Sequence, residues 1–228
     1  NEAVATVSAD GTVTAKSAGT AVITAKSENG KSASCTITVN KKDTYTGIKE
    51  DSGNLIYYKN GAMDTTYIGF AEYKGNKYYV IDGKVDSTYT NVTYDGKDWL
   101  YVENGKVRND YTGIRPNENG WWRIEEGKVN FDYNGLAENE NGWWKISGGQ
   151  VDFGYNDLCY DQTYGWWKVS GGQVDFGYND LYYSPTLGWW KVSGGAVDFG
   201  YNDLYYSPTC GWWKVSGGAV DFGYNDIY

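Results

Sequence analysis

The sequence of 228 residues contains no histidine, the side chain that most often serves as a general base or metal ligand near neutral pH. A histidine-dependent catalytic triad is therefore excluded, and we predict neither a metal site nor a cofactor. Basic residues are also in deficit, because 20 Lys and Arg are set against 29 Asp and Glu, for a formal net charge of −9. This charge argues against nucleic-acid binding.

Long apolar runs and paired cysteines are missing too. No apolar run approaches the roughly 20 residues that cross a bilayer, so we predict no membrane span in this fragment. Cys35, Cys159 and Cys210 form no CxxC pair. The latter two lie two repeats apart in the pattern described next, which predicts a separation beyond the roughly 7 Å between Cα atoms that a disulfide permits. We expect three free thiols.

The sequence is instead rich in an aromatic and glycine-containing repeat. Near-copies of Gly-Trp-Trp-Lys-Val-Ser-Gly-Gly begin at Gly142, Gly165, Gly188 and Gly211. An apolar residue just after the glycines extends the pattern, at Met63, Val85, Val107, Val129, Val151, Val174, Val197 and Val220. Its spacing is 22 residues four times and then 23 three times, giving eight units from about residue 47 onward. A constant period in this range predicts a solenoid of stacked units.

Each unit contains a predicted two-residue turn. The turn pairs are Asn60-Gly61, Asp82-Gly83, Asn104-Gly105 and Glu126-Gly127, followed by Gly-Gly in the last four units. Asn-Gly, Asp-Gly and Gly-Gly tolerate positive φ at both positions, which predicts a type I′ β-hairpin. In the seventh unit the two strands are expected at 189–192 and 196–201. One hairpin alone buries little apolar area, so we expect stability to come from stacking.

The first forty residues have a different composition, rich in Ala, Thr, Ser and Val. We therefore predict two regions, residues 1–42 and residues 43–228. Turn residues separate short β-rich runs, at 3–7, 12–16, 20–26 and 32–39. The last run alternates, with Ala33, Cys35, Ile37 and Val39 on one face, as in a strand of a β-sandwich with one buried face.

Particular strings in this region carry a resemblance. They are Val4-Ala5-Thr6-Val7-Ser8, Gly11-Thr12-Val13-Thr14-Ala15, Ala18-Gly19-Thr20-Ala21-Val22-Ile23-Thr24-Ala25 and Thr36-Ile37-Thr38-Val39. Together they resemble the second half of a bacterial immunoglobulin-like domain of group 2, a module of surface proteins and adhesins. The resemblance implies a partial immunoglobulin-like β-sandwich, which we expect to act as a spacer.

Strand alternation divides each hairpin into two faces. In the seventh unit the predicted core face carries Trp190, Val192, Val197, Phe199 and Tyr201. The opposite face carries Trp189 and Lys191, so a ladder of first tryptophans runs beside a ladder of basic residues. Alternatively, the next repeat buries these tryptophans and the lysines are merely solvated.

The strings Gly53-Asn54-Leu55-Ile56-Tyr57-Tyr58-Lys59-Asn60-Gly61-Ala62-Met63 and Trp99-Leu100-Tyr101-Val102 resemble the cell-wall-binding repeats of choline-binding and glucan-binding proteins. This resemblance implies hairpins stacked in a left-handed superhelix, with choline held in aromatic cages between units. The family's first-strand tryptophan corresponds to the first tryptophan of each pair. Its cage tyrosine corresponds to Tyr57, Tyr79 and Tyr101.

Two departures change the expected ligand. From the fourth unit onward a cation replaces the cage tyrosine, and a cation beside the tryptophan is expected to repel a quaternary ammonium. The Gly-Trp pair that usually follows the hairpin is also missing, which predicts the loss of a third cage wall. We therefore predict a sugar ring or anionic cell-wall polymer rather than choline. The candidate ligand-binding residues are Trp99, Tyr101, Trp121, Arg123, Trp143, Lys145, Trp166, Lys168, Trp189, Lys191, Trp212 and Lys214.

Two catalytic or metal patterns are weaker. Residues 194–198 resemble part of a calcium-binding Gly-Gly-x-Gly-x-Asp repeat, but the third glycine is missing and the period is far from the expected nine or so residues. The repeated carboxylates Asp198 and Asp203 resemble the acid and base of a glycosidase. A pair present in unit after unit fits turn and edge-strand chemistry better, so we predict that the protein is not an enzyme.

These features together favour an all-β chain: a partial immunoglobulin-like sandwich followed by a solenoid of stacked β-hairpins. The predicted function is non-catalytic, multivalent binding of a glycan or cell-wall polymer through the aromatic repeats. We expect an extracellular location, on the surface or wall of a Gram-positive bacterium. The alternative is a structural stalk that presents another domain. Exposed first tryptophans favour binding, and tryptophans sealed under the next hairpin favour a stalk.

Overall fold

A computed structural model describes residues 1–225, and all regular elements in that range are β-strands. The predicted all-β fold class is confirmed. No helix long and apolar enough to cross a membrane is present among the described residues. The described chain divides into two compact units, residues 1–75 with 80–85 and residues 76–79 with residue 86 onward. The predicted boundary between residues 42 and 43 stays a prediction.

Two antiparallel hairpins form the N-terminal region. One joins β1 (Ala5–Val7) to β2 (Val13–Ala15), and the other joins β3 (Gly19–Lys26) to β4 (Ser32–Val39). All four strands lie where the composition and turn pattern predict them. This region therefore contributes two separate two-stranded sheets.

The core of this region is small. Val4, Ala5 and Ala21 are buried, and Val39 packs against them. Cys35, which alternation places on the same face as Val39, is exposed. The predicted buried face of β4 is therefore covered towards its C-terminal end and open at its centre.

Eight repeats follow, each with a first strand, a second strand and a two-residue third strand. The first strands are β5 (Gly47–Asp51), β8 (Gly69–Tyr73), β11 (Asn91–Tyr94), β14 (Gly113–Asn117), β17 (Gly135–Asn139), β20 (Leu158–Asp161), β23 (Leu181–Ser184) and β26 (Leu204–Ser207). The second strands are β6 (Asn54–Lys59), β9 (Asn76–Ile81), β12 (Trp99–Glu103), β15 (Gly120–Glu125), β18 (Gly142–Ser147), β21 (Gly165–Ser170), β24 (Gly188–Ser193) and β27 (Gly211–Ser216). The third strands are β7 (Ala62–Met63), β10 (Lys84–Val85), β13 (Lys106–Val107), β16 (Lys128–Val129), β19 (Gln150–Val151), β22 (Gln173–Val174), β25 (Ala196–Val197) and β28 (Ala219–Val220).

The repeat is three-stranded, which differs from the two strands that the turn pattern predicts. In repeat seven, β24 pairs antiparallel with β23 over four residues and with β25 over two. The predicted strand to Tyr201 is wrong, because Asp198 ends it at Val197. The Asp198 carbonyl accepts from Tyr201 N at 3.2 Å, and its carboxylate accepts from Gly200 N at 3.2 Å. Phe199, predicted in the core, lies in this turn and is 52% exposed.

The predicted type I′ turns are confirmed by the backbone. Asn60 and Gly61 have φ of 53° and 82°, and Gly194 and Gly195 have φ of 57° and 81°. Positive φ at both central positions matches the right-handed twist of the flanking strands. An asparagine of the preceding repeat fixes the later turns, since Gly194 N donates to Asn179 Oδ1 at 2.7 Å.

Each of these turns also joins its repeat to the one before. Lys191 N donates to Gly218 O at 2.7 Å, and Gly218 N donates to Tyr201 O at 3.1 Å. The backbone bond from Lys191 to Gly218 recurs at earlier junctions. The equivalent pairs are Lys168 and Gly195, Lys145 and Gly172, Arg123 and Gly149, and Tyr101 and Gly127. A buried apolar cluster fills the same junction, formed by Leu181, Val215 and Val220. The predicted stacking of hairpins is therefore confirmed.

An aspartate carboxylate also links the two repeats at each late junction, but the repeat that supplies it changes along the chain. Between repeats five and six, Asp161 of repeat six accepts from Leu136 N of repeat five at 2.8 Å. Between repeats six and seven, the carboxylate belongs to the earlier repeat, because Asp157 Oδ2 accepts from Ser184 Oγ at 3.1 Å. Ser207 and Asp180 repeat that arrangement at 3.0 Å. Repeat six therefore carries both carboxylates.

Candidate functional site

The cations that the sequence pattern places beside the tryptophans lie inside the repeats. Lys191 is 5% exposed, and its Nζ donates to Val192 O at 2.7 Å and to Ser193 Oγ at 2.9 Å. The same Nζ lies 4.5 Å from the centroid of the Tyr205 ring. Burial lowers the pKa of Lys191. Lys168 has the equivalent contacts, so these ammonium groups are already bound by the protein.

Earlier repeats have a tyrosine where the later ones have this cation. Tyr101 packs on Tyr111 with ring centroids 4.6 Å apart. In repeat four the guanidinium of Arg123 lies 4.9 Å from the centroid of the Tyr133 ring instead. In the last repeat Lys214 Nζ is 5.8 Å from the Tyr224 ring. A cation–π pair thus replaces a tyrosine pair at one internal position of the repeat.

Alkaline pH is expected to destabilise these repeats. Burial is the main cause that raises the pKa of Tyr155 and Tyr178 to about 12, from an ordinary 10.0. The neutral phenol is thus favoured in the folded state, so its contribution is complete below pH 10 and is lost as the pH rises to about 12. Thermal unfolding between pH 8 and pH 12 should show the midpoint fall across that window.

A tyrosine variant isolates this effect. Tyr155→Phe removes the bond from the Tyr155 hydroxyl to Leu158 O, 2.7 Å long, so it should lower stability at pH 8 and flatten the alkaline decline. Lys168 and Lys191 act in the opposite sense, because a lowered lysine pKa adds stability as the pH rises towards about 10.5. An unchanged slope in Tyr155→Phe would contradict the tyrosine assignment.

The first tryptophan is neither fully buried nor fully exposed in four of the five tryptophan pairs. Trp121, Trp143, Trp166 and Trp189 are half-buried. Trp212, which no following hairpin covers in the described part of the chain, is 69% exposed. The next repeat therefore covers part of each ring and leaves the rest accessible.

Three aromatic rings occupy equivalent positions at the junctions of the later repeats, and they lie together at the Trp121, Trp143 and Trp166 junctions. One is the first tryptophan of a repeat, and the others are the second tryptophan and the phenylalanine of the next repeat. We call each set a junction cage: Trp99/Trp122/Phe131, Trp121/Trp144/Phe153, Trp143/Trp167/Phe176, Trp166/Trp190/Phe199 and Trp189/Trp213/Phe222. In every cage the second tryptophan and the phenylalanine meet edge to face, with centroids 5.4 to 5.6 Å apart.

Two of the junction cages enclose measurable space. The Trp143 cage holds a cavity of about 160 Å³, closed by Tyr164 and floored by Leu136 and Val174. The Trp166 cage holds about 110 Å³, with Leu187 in the place of the tyrosine. The Trp121 cage is packed shut, because Trp121 lies 5.2 Å from Trp144 and 5.6 Å from Phe153, between ring centroids. The chain thus contains open and closed versions of one site.

The expected loss of a third cage wall is wrong. Phe176 forms the third wall in one cage, and Phe199 forms it in the next. Strand alternation had predicted this phenylalanine on the core face of its own hairpin. The expected repulsion does not arise at these two cavities either. Among the described residues, those that line them include no lysine, arginine or carboxylate. The ladder of second tryptophans and the Asp-Phe-Gly string were the sequence signals for these walls.

The repeated carboxylates have structural partners. Asp198 forms the strand-ending turn, and Asp203 Oδ1 accepts from Leu204 N at 2.7 Å. These contacts agree with the predicted turn and edge chemistry. The three cysteines are free thiols, with Cys159 buried.

Comparisons with known families agree with these features. Four segments match the choline-binding repeat, at residues 66–86, 88–108, 110–130 and 132–152. Residues 1–37 match the bacterial Ig-like domain (group 2). No curated protein matches the chain. Both families are typical of extracellular bacterial surface proteins and are typically non-catalytic. Residues 1–37 are therefore similar to part of a bacterial immunoglobulin-like domain, and residues 66–152 are similar to choline-binding repeats. This pairing indicates a cell-surface, cell-wall-binding module.

Proposed function

We propose that the repeats anchor this protein to a cell-wall polymer by holding quaternary ammonium groups, such as choline, in the junction cages. The observation that carries the proposal is the uncharged cavity of about 160 Å³ among Trp143, Trp167 and Phe176. Quaternary ammonium ions bind such aromatic cages because the negative faces of the rings attract the cation. The name of the matching repeat family points to the same ligand.

At these cages we propose choline, whereas the sequence alone predicted a sugar or an anionic polymer. That prediction depended on Lys168 and Lys191 standing beside the tryptophans. Their ammonium groups instead bind backbone carbonyls and tyrosine rings inside the repeats. No lysine or arginine lines the two cavities in the described chain, so the aromatic rings there are free to attract a cation.

Several weak sites act together in this proposal. A cation–π contact contributes about 0.5 to 2 kcal/mol, so three rings give a dissociation constant on the order of 1 mM for one cage. Cages repeated along the array bind one polymer at several points, which raises the apparent affinity without any new contact. Non-catalytic retention on the wall of a Gram-positive bacterium is the role we assign.

The structural stalk remains the competing function, favoured by the closed packing of Trp121 on Trp144. Fluorine NMR of protein labelled with 5-fluorotryptophan separates the two. Choline titrated into the millimolar range should shift the signals of Trp143 and Trp167, assigned from Trp→Phe variants. Ethanolamine, which has the same hydroxyl and no methyl groups, is the matched control and should shift them far less. If choline leaves every tryptophan signal in place, the stalk replaces the anchor.

A further inference from the structure

A larger pocket of different chemistry lies beside the Trp143 cage. It measures about 260 Å³, and its lining includes Thr112, Arg123, Tyr133, Ala137, Glu138 and Trp143. We call it the Arg123 pocket. Unlike the junction cages, it combines aromatic walls with a guanidinium, a carboxylate and a hydroxyl. Its volume is just below the roughly 300 Å³ at which small-molecule sites begin, so it is large enough for one ring and too small for an oligomer.

The pocket exists because residue 137 is an alanine. Strand register places Ala137 opposite the second tryptophan of its repeat, where repeat seven has Tyr182 and repeat eight has Tyr205. In repeat seven the Tyr182 ring lies 4.5 Å from Lys168 Nζ. Lys168 is the counterpart of Arg123. A tyrosine ring therefore fills, in the later repeats, the space that is open beside Arg123.

That tyrosine shows what the space accepts. The Tyr182 hydroxyl donates to Asn156 O at 3.0 Å, and Asn156 is the counterpart of Thr112 in the pocket lining. The tyrosine thus presents a six-membered ring beneath a cation, with a hydroxyl bound to the backbone of an earlier repeat. A ligand with the same outline would fit the Arg123 pocket.

The polar groups of the pocket call for more hydrogen bonds than a phenol can make. Arg123 Nε and Nη2 donate hydrogen bonds to Glu125 Oε1, at 3.3 and 3.1 Å. Arg123 Nη1 has no hydrogen-bond partner among the described residues. Glu138 is exposed at the rim and offers acceptor oxygens. An apolar ring would desolvate both groups without replacing their bonds to water. A ring that carries several hydroxyls satisfies them.

We propose that the Arg123 pocket binds one pyranose ring of a cell-wall glycan. The ring packs against Tyr133 and Trp143, Arg123 Nη1 donates to a ring substituent, and Glu138 accepts from a hydroxyl. The pocket occurs at the junction of repeats four and five, next to the Trp143 cage, with which it shares Leu136, Trp143 and Tyr164 as lining residues. This inference rests on the proposed function in one respect: attachment to the cell wall is what brings a wall glycan to the pocket.

Saturation-transfer NMR with N-acetylglucosamine, glucose and galactose tests the pocket. Wild-type protein should transfer saturation to the ring protons of at least one sugar. Ala137→Tyr, which copies the later repeats, should weaken that binding by at least tenfold. Cys159→Tyr places the same side chain at the equivalent position of the next repeat, so it should keep wild-type sugar binding. Sugar bound equally by the Ala137→Tyr protein would overturn the proposal.

Glu138→Ala provides a second variant that removes only an exposed side chain, and it should weaken sugar binding several-fold with unchanged thermal unfolding. A parallel choline titration separates the two assignments. A choline response without transfer to any sugar overturns the pyranose pocket and leaves the anchor standing. Sugar binding without a choline response supports the pocket and removes the anchor.

Discussion

Replacing Trp143 and Trp166 together by alanine is expected to reduce retention on a choline-bearing surface more than tenfold beyond either single change. These rings form the first walls of the Trp143 and Trp166 cages, which both contain a cavity. Each loss removes a desolvated cation–π contact of about 2 kcal/mol, roughly a thirtyfold effect per cage, and also removes one point of a multivalent attachment. Surface plasmon resonance on immobilised choline measures the change.

The matched control is Trp212→Ala. Trp212 is the same ring at the equivalent strand position, but the described chain supplies no following tryptophan and phenylalanine to complete its cage. Its loss should reduce retention by less than about threefold, under 1 kcal/mol. Circular dichroism confirms that each variant keeps its fold. A folded Trp143/Trp166 double variant that is retained like wild type would show that the cages do not carry binding.

Gly172→Asn is expected to destabilise the array by about 3 kcal/mol, whereas Gly171→Asn should cost less than about 1 kcal/mol. The two glycines share one turn, but a Cβ at Gly172 would lie 2.5 Å from the carbonyl oxygen of Asp152 in the preceding repeat. At Gly171 the nearest atom, Phe153 O, is 4.0 Å away. The substitution at Gly172 therefore pushes two repeats apart.

Earlier repeats support the smaller destabilisation expected for Gly171→Asn, the substitution at the first position of the turn. Asn60 and Asn104 occupy it with φ of 53°, so an asparagine tolerates that conformation there. Urea unfolding of the two variants measures the difference, with the slope of the transition as a check on the extent of unfolding. Equal destabilisation by both would show that the turn conformation, and not the contact with Asp152, limits this position.

Features set by short stretches of chain could be predicted from the sequence. The Gly-Gly and Asn-Gly turns followed from their conformational preference, and the number of repeats followed from the spacing of Val107, Val129 and their equivalents. The strand beyond Val197 could not be placed correctly by alternation. Asp198 ends it with a hydrogen bond to its own turn, and local polar chemistry overrode the apolar pattern.

The candidate site depends on contacts between repeats, which alternation within one strand does not reveal. Strand alternation predicts that Trp189 and Lys191 share one face of a strand, but it does not predict which side chains of the next repeat pack against that face. Lys191 is covered by Tyr205 of that repeat. The third cage wall was missed for the same reason, since Phe199 belongs to a different repeat from Trp166.

The junction carboxylate comes from the later repeat at the junction of repeats five and six, and from the earlier repeat at the junctions that follow. This difference limits which repeats can be duplicated or deleted. Repeat seven makes an Asp–Ser contact with the repeat before it and the same contact with the repeat after it, so a second copy of repeat seven would keep this contact at both of its junctions. A second copy of repeat six would set Asp157 of the first against Asp161 of the second, which places two like charges at one junction. Deletion of repeat six would bring Ser184 to Leu136 with no carboxylate between them. Recombination can therefore lengthen the array downstream of repeat six, while repeat six itself is fixed at a single copy as the adaptor between two kinds of junction.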